Sequence, residues 1–282
     1  METRVRSKSQ EVVISPDHPV VMIGERINPT GKKRLAAALL AEDMGRVQQL
    51  ATSQVADGAA ILDVNVGAAG VDEVKVLPMA VRAVMEVTDT PLCIDTANAD
   101  ALRAALDVYD GKALINSVNG EEASLERVLP LVAEYQAAVI GLTMDDSGIP
   151  CDAASRIAIA KKIVERAEGM GIPREDILID CLCLAVCTDS TAARMTLDAI
   201  RGVREELGVN LSLGASNVSF GLPDRVAINE VFLAMVIAAG VNAPIVNPRD
   251  ARKVVTISNL LLGHDEFGMN YVMYYREQAA KA

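Results

Sequence analysis

A single repeating unit constrains the fold of this chain more than any other feature: a short apolar run that stops at a polar residue, followed by a stretch with helical spacing. Its clearest copy is PLCIDTANADALRAALDVYDGKALIN, Pro91 to Asn116. There one apolar run stops at Asp95, a helical pattern opens behind Asn98, whose side chain suits a helix N-cap, and a second apolar run stops at Asn116. Fully apolar strands separated by a helix are parallel neighbours buried on both faces. Each then carries a polar group at its C-terminal end, where α/β proteins bind their ligands.

The unit recurs along the chain. Val20 to Gly24 is an apolar strand ending at Glu25, and Ala59 to Gly67 carries Asp63 and Asn65 two apart, on one face if the strand runs that far. Further strands are expected at Leu92 to Asp95, Lys112 to Asn116, Ala137 to Met144, Ile172 to Asp180, Leu211 to Gly214 and Asn242 to Val246, the last ending at Asn247. Helical periodicity fills the gaps, with a break near Gly45 and unbroken patterns over Ala99 to Leu106, Ala153 to Gly169 and Arg225 to Ala239. Eight strand–helix units, over about the 250 residues usual for the class, predict a single (β/α)8 TIM barrel across residues 20–264. An open doubly wound sheet is the competing class. Closure is favoured because the polar strand ends are spread around the whole series, not gathered at one reversal point. Residues 1–19 read as a flexible N-terminal extension, and 265–282 as a C-terminal tail with a helical pattern.

Composition removes several functions. The net charge is -11 and no Lys/Arg block with interleaved aromatics occurs, so nucleic acid is not an expected partner. No run of eighteen apolar residues and no secretion signal is found, which predicts a cytoplasmic protein without a membrane span. With His18 in the head and His264 in the tail as the two histidines, no metal site is expected. Cys181, Cys183 and Cys187 lie in an apolar C-x-C-x3-C run without a fourth ligand, and read as buried or partly buried free thiols. No Walker loop, G-x-S-x-G or dinucleotide glycine motif follows any strand.

Chemistry therefore rests on the strand ends. Glu25, Asp63, Asn65, Asp95, Asn116, Asp180, Asn217 and Asn247 would converge on one rim. Carboxylates accept from ring N–H and amino groups while Asn both donates and accepts, a set suited to a flat heterocycle. The scarcity of Lys and Arg at these ends speaks against a phosphorylated sugar. Asn247 reads equally well as a helix cap or Asx turn.

Six segments in order, IGERIN at Ile23, LDVNVG at Leu62, CIDT at Cys93, INSVN at Ile115, IGLTMDDSGIP at Ile140 and GASNVSFGLPDR at Gly214, carry a resemblance. The chain resembles the methyltetrahydrofolate:corrinoid protein methyltransferases, pterin-binding barrels also found as the folate module of cobalamin-dependent methionine synthase. The resemblance implies methyl transfer between N5 of methyltetrahydrofolate and the cobalt(I) of a cobalamin carried by a separate corrinoid protein, by a homodimeric enzyme. It implies that Asp95, Asn116 and Asp180 hydrogen-bond the pterin, that Asn217 reaches N5 and acts with Asp180 in catalysis, and that Glu25, Asn28, Asp63 and Asn65 line the same mouth. Dihydropteroate synthase, which shares barrel and pocket, is the alternative enzyme, and a non-catalytic pterin-binding subunit the alternative of another class. Where relatives carry an apolar, proline-containing stretch after the strand-six aspartate, this chain has CLCLAVCTD, which points to a rim shaped for a different partner.

Overall fold

The computed structural model describes residues 1–280. Eight strands form the barrel: β3 (Ile23–Ile27), β4 (Ile61–Val64), β5 (Leu92–Asp95), β6 (Leu114–Asn119), β7 (Ala138–Leu142), β8 (Ile177–Asp180), β9 (Asn210–Gly214) and β10 (Ala243–Val246). They are hydrogen-bonded in sequence order and β10 closes on β3, every pair parallel. This is the expected TIM barrel. Around it run α1 (Lys33–Leu40), α2 (Gly45–Ala56), α3 (Glu73–Met85), α4 (Ala99–Leu106), α5 (Glu122–Glu134), α6 (Ala153–Gly169), α7 (Ala192–Leu207), α8 (Arg225–Ala239) and α9 (Pro248–Leu261). The break near Gly45 separates α1 from α2, and the Asn98 side chain caps α4 by accepting from the N–H groups of Asp100 and Ala101 at 3.0 and 3.2 Å.

Strand side chains alternate between two cores. Outward-facing residues such as Leu62, Ile94, Ile115 and Val139 pack under the helices, while Ile23, Ile61, Cys93, Leu114, Ile140 and Leu178 fill the barrel. Because the interior is filled, ligand can be met only at its ends.

The head departs from expectation. Instead of a flexible extension, it forms an antiparallel hairpin, β1 (Thr3–Arg6) with β2 (Glu11–Ile14), that plugs the N-terminal end of the barrel. Thr3 and Val5 point inward and are fully buried, Arg4 and Arg6 point out, and Ile14 joins Val5 in the interior cluster. Arg6 bridges Lys112 just ahead of β6, which fixes the plug against the strand starts. The charged residues that make the head look solvated are one face of a four-residue strand.

Beyond the barrel, α10 (Met269–Ala279) makes the tail helical; Arg252 on α9 pairs with its Glu277 at 2.7 Å. Residues 281 and 282, the end of the expected tail, lie outside the described residues.

Candidate functional site

Three neighbouring strands bring Asp63, Asp95 and Asn116 together at the C-terminal rim. Asp63 stands beside Cys93, and Asp95 beside Asn116, in the strand register. Asn116 Nδ2 donates to Asp63 Oδ1 at 3.1 Å. The register of β6 shifts between Asn116 and Val118, so the strand continues past its polar residue through an irregularity that re-aims it. Asp63 is buried, and burial together with the Asp95 charge drives its carboxyl far above the ordinary range, against bonds from Asn116 and Cys93. Asp95, half-buried, is pushed up to about 6, chiefly by burial, with the Asn65 amide pulling it back. Two adjacent carboxyls in this state hold a proton that isolated aspartates would release.

Asn65 and Asn28 are anchored differently from the reading along the strands. β4 stops at Val64, and Asn65 Oδ1 accepts the Gly67 N–H at 2.8 Å in an Asx turn, its amide left facing Asp95. Asn28 Oδ1 is likewise taken by the Thr30 N–H at 3.0 Å, and no bond joins Asn28 to the aspartate group among the described residues.

Further round the barrel, β8 ends at Asp180, whose carboxylate is held by two backbone donors: Leu182 N to Oδ1 at 2.7 Å and Gly214 N to Oδ2 at 3.1 Å. Burial pushes this carboxyl to about 6; the two N–H groups and nearby Arg156 hold it down. Leu182 sits at φ 56, the left-handed region that non-glycine residues rarely adopt. Fully buried Arg156 supports it. From α6, its Nη1 donates to Cys181 O at 3.0 Å and Leu182 O at 2.9 Å, and its Nε to Pro150 O at 2.9 Å, tying two rim loops together. Sequence reading missed Arg156 because a lone arginine in a helix is usually solvated. Its one signal was its place on the buried stripe with Ile159, Ala160 and Ile163.

The cysteine run after Asp180 is split. Cys181 and Cys183 are buried, and burial raises both thiols, Cys183 to about 11, which leaves them poor nucleophiles. Cys187, expected to be at least partly buried, is exposed: the chain has turned outward, and its thiol donates to Phe220 O at 2.9 Å. Among the described residues no three His, Cys, Asp or Glu side chains are grouped to hold a metal ion.

Asn217 lies on a short 3-10 turn, Ala215–Ser219, directly after β9. Ala215 and Val218 bury the turn, Asn217 is half-buried, and its side chain makes no hydrogen bond among the described residues. Arg225 braces the turn from α8, donating to Ser219 Oγ and Ser216 O, both at 3.0 Å, with its guanidinium 4.4 Å above the Phe220 ring. Beside Asp180, the buried Ser212 Oγ and Thr143 Oγ1 have no partner among the described residues; Ser212 is level with Asp180 in the register, and Thr143 N donates to Asp180 O.

Glu25 and Asn247 line a cleft of about 260 Å3 with Arg26, Ser216 and Asp250, and the Glu25 charge adds to what raises the Asp63 carboxyl. Burial raises the Glu25 carboxyl, opposed by Lys32, Arg26 and Arg225. Asn247 occupies the N-cap position of α9 without capping it: its amide donates instead to Asp250 Oδ2 at 2.6 Å.

A family model described as pterin binding enzyme matches residues 24–247, from within β3 to the residue after β10. The chain belongs to the pterin-binding enzyme family. Curated relatives of this pterin-binding barrel include methionine synthase from Mycobacterium tuberculosis, 32% identical over 272 residues, covering 92% of this chain but 23% of that protein. The chain thus spans about a quarter of the length of the methionine synthases it matches. The methylcorrinoid:tetrahydrofolate methyltransferase of Eubacterium limosum is 29% identical over 266 residues, covering 92% of this chain and 97% of that protein. Solved dihydropteroate synthases share the fold: that of Yersinia pestis superposes with a TM-score of 0.71 at 16% identity, covering 92% of this chain and 98% of that one. That of Xanthomonas albilineans reaches 0.67 at 20%, covering 93% and 98%. No helix among the described residues of the pterin-binding barrel is long and apolar enough to cross a membrane.

Proposed function

We propose that this pterin-binding barrel moves a methyl group between N5 of methyltetrahydrofolate and the cobalt of a corrinoid presented by a second protein, the chain itself pairing as a homodimer. The carrying observation is the gathering of Asp63, Asp95, Asn116 and Asp180 at one rim with two buried hydroxyls, Ser212 and Thr143, that have no partner among the described residues, and with the Asn217 amide at the same rim making no hydrogen bond among them. The relative from Eubacterium limosum, matched over nearly its whole length, supports this reaction over others of the fold. Likeness to dihydropteroate synthases is one of fold alone.

On this reading Asp95, Asn116 and Asp180 take the pterin edge. Ionised carboxylates accept ring N–H and amino donors, and the Asn116 amide, fixed by its bond to Asp63, presents a carbonyl oxygen in a set orientation. Asn65, Asp63 and Glu25 line the walls, and Asn28 shapes the loop beside them. Asn217 faces N5. A tertiary amine is a poor leaving group, so as the methyl–nitrogen bond breaks, its electron pair must be stabilised at N5. A donor whose hydrogen bond strengthens as that charge develops acts on the transition state more than on the bound substrate. The Asn217 amide is such a donor, and Asp180, with a carboxyl near 6, exchanges the proton with water close to neutral pH.

The test is anaerobic single-turnover transfer from methyltetrahydrofolate to cobalt(I) cobalamin, followed by loss of the cobalt(I) absorbance. Asn217→Ala is expected to slow transfer about 100-fold while folate affinity moves only a few-fold. An unchanged rate sinks the role of Asn217. Tight folate binding without transfer to either free cobalamin or a corrinoid protein makes the chain a non-catalytic pterin-binding subunit.

A further inference from the structure

Two buried groups of opposite charge face each other across a single peptide unit. Arg156 on α6 is fully buried and Asp180, at the end of β8, is 4% exposed. Among the described residues no ion pair joins Arg156 to a carboxylate. Between the two lies the Cys181–Leu182 peptide. Its carbonyl, Cys181 O, accepts from Arg156 Nη1 at 3.0 Å, and its N–H, on Leu182, donates to Asp180 Oδ1 at 2.7 Å. The peptide dipole therefore turns its negative end to the guanidinium and its positive end to the carboxylate. Hydrogen bonds in such a chain polarise one another, so the cation strengthens the donor that the carboxylate receives.

The backbone is bent to allow this. In an extended strand successive carbonyls point opposite ways, yet Cys181 O and Leu182 O meet the same nitrogen, Nη1, at 3.0 and 2.9 Å. Leu182, at φ 56, supplies the bend. Thr196 Oγ1 on α7 lies within hydrogen-bonding distance of both Leu182 O and Nη1, at 3.0 and 3.2 Å, and closes the arrangement from the far side. Holding carbonyls does not by itself account for a full charge at this place. A buried guanidinium is costly to desolvate, a neutral donor could meet the same carbonyls, and Nη2 is buried with no acceptor among the described residues. The charge has one use within reach, the carboxylate on the other side of the peptide.

We propose that Arg156 is a positioning residue of the rim, acting through the Cys181–Leu182 peptide to keep the Asp180 carboxylate aimed at the bound ring, which rests on the reading of Asp180 as part of a folate site. Each Asp180 oxygen takes one backbone N–H, from Leu182 or from Gly214, and keeps a lone pair for the ligand. Charge matters as well as aim. Burial pushes the Asp180 carboxyl up to about 6, and the two N–H groups with Arg156 oppose it. The other groups against Asp180 carry no charge: burial holds the Cys181 and Cys183 thiols neutral, and β7 and β9 present Leu142, Thr143, Ser212 and Gly214. Without Arg156 the carboxyl takes up its proton at a higher pH and accepts ring N–H groups less well.

The experiment has two arms, both on the full chain. In the first, the ligand-free wild type is labelled with nitrogen-15 and titrated by NMR from about pH 5 to about 8.5. The Leu182 amide and the Arg156 guanidinium are expected to shift together with one midpoint near 6, and both shifts to vanish in Asp180→Asn. A Leu182 amide that titrates while the Arg156 signals stay flat overturns the proposal. In the second arm, calorimetry with tetrahydrofolate follows affinity over the same range. In Arg156→Met the pH at which affinity begins to fall is expected to move up by about one unit, so that affinity drops about fivefold at pH 6 and hardly changes at about pH 8.5. Arg156→Lys should return it toward 6, because the peptide is met by one nitrogen, a contact that an ammonium can make. A loss of affinity that is equal at every pH makes Arg156 a brace of the loops alone and overturns the proposal, as does an unmoved pH dependence in a folded Arg156→Met. Where Arg156→Met does not fold, the wild-type titration decides. If no folate binds the wild type at any pH, the folate reading falls and the role at a ligand with it, while the shared midpoint still tells whether Arg156 acts on Asp180.

Discussion

Buried polar groups stand at both ends of the barrel, complete at one end and incomplete at the other. At the plugged end Asn210 makes three side-chain bonds: Nδ2 to Thr3 Oγ1 at 2.8 Å and to Ile14 O at 2.9 Å, and Oδ1 from Asn242 Nδ2 at 2.7 Å. Asn242 Oδ1 in turn accepts the Leu211 N–H at 3.0 Å. Two residues further along the same strand, Ser212 is buried with no partner among the described residues, level with Asp180 in the register. The same strands thus end in a finished network on one side and in open valences on the other. A satisfied network of buried polar groups fixes the fold, whereas unsatisfied acceptors and raised carboxyls wait for donors that a ligand supplies.

The largest expected effect attacks the finished end. Removing residues 1–14 strips Val5 and Ile14 from the interior, at about 1.5–3 kcal/mol each. It also leaves Asn210 without two of its partners, at about 1–3 kcal/mol. Urea unfolding should show a loss of roughly 5 kcal/mol; an unchanged midpoint would mean that the plug is an ornament and that the two ends do not differ as described.

Next in size is the opposite end. Asp95→Asn should weaken folate binding about 100-fold, the worth of a hydrogen bond to a charged acceptor, when measured by calorimetry. Stability in urea near neutral pH should hold or rise, because the replacement relieves a buried carboxylate facing Asp63. Were stability to fall in step with affinity, the rim would be structural in the same sense as the plug.

The smallest effect is a pH dependence that sets binding against stability. Asp95 and Asp180 are held up to about 6 in the folded chain, above the unfolded value of about 3.9. Between these values the native state binds more protons than the unfolded one, so these groups make stability fall as pH rises from about 4 to about 6. Folate affinity should run the other way, rising to a plateau above about 6 and dropping up to about a hundredfold per unit below it when both carboxylates must be ionised, since the ionised carboxylate is the better acceptor of ring N–H groups. Calorimetric titration between these limits checks it, and a flat affinity would remove both carboxyls from contact with the ring.

Strand ends were the most legible part of this chain because they are local: an apolar run long enough for a strand stops where its polar residue stands. β5, α4, α6 and α8 lie where periodicity puts them, and the Asn98 cap is visible in the order of residues alone. Once strands are parallel and closed, their C-terminal residues must share a rim, which is why Asp63, Asp95 and Asn116 could be grouped from sequence and are adjacent in the barrel. Local turn chemistry blurred the edges: Asn65 and Asn28 each spend an oxygen on a backbone N–H two residues ahead, a use that alternation along a strand does not foresee.

What only the tertiary structure decided depends on groups far away along the chain. The head becomes a hairpin because eight distant strands make a hole that Val5 and Ile14 can fill; alone, four residues of alternating charge have nothing to bury against. Arg156 is buried because carbonyls from two loops converge on it, and Cys187 is exposed because its loop turns away after Leu182. A cationic wall beside the rim unites Arg26 and Arg46 with Arg249, more than two hundred residues further on, and each alone reads as an ordinary surface charge. Period and pattern are properties of neighbours in sequence, and they fixed the elements and their order; burial, charge grouping and open valence are properties of neighbours in space, which exist only after the barrel has closed.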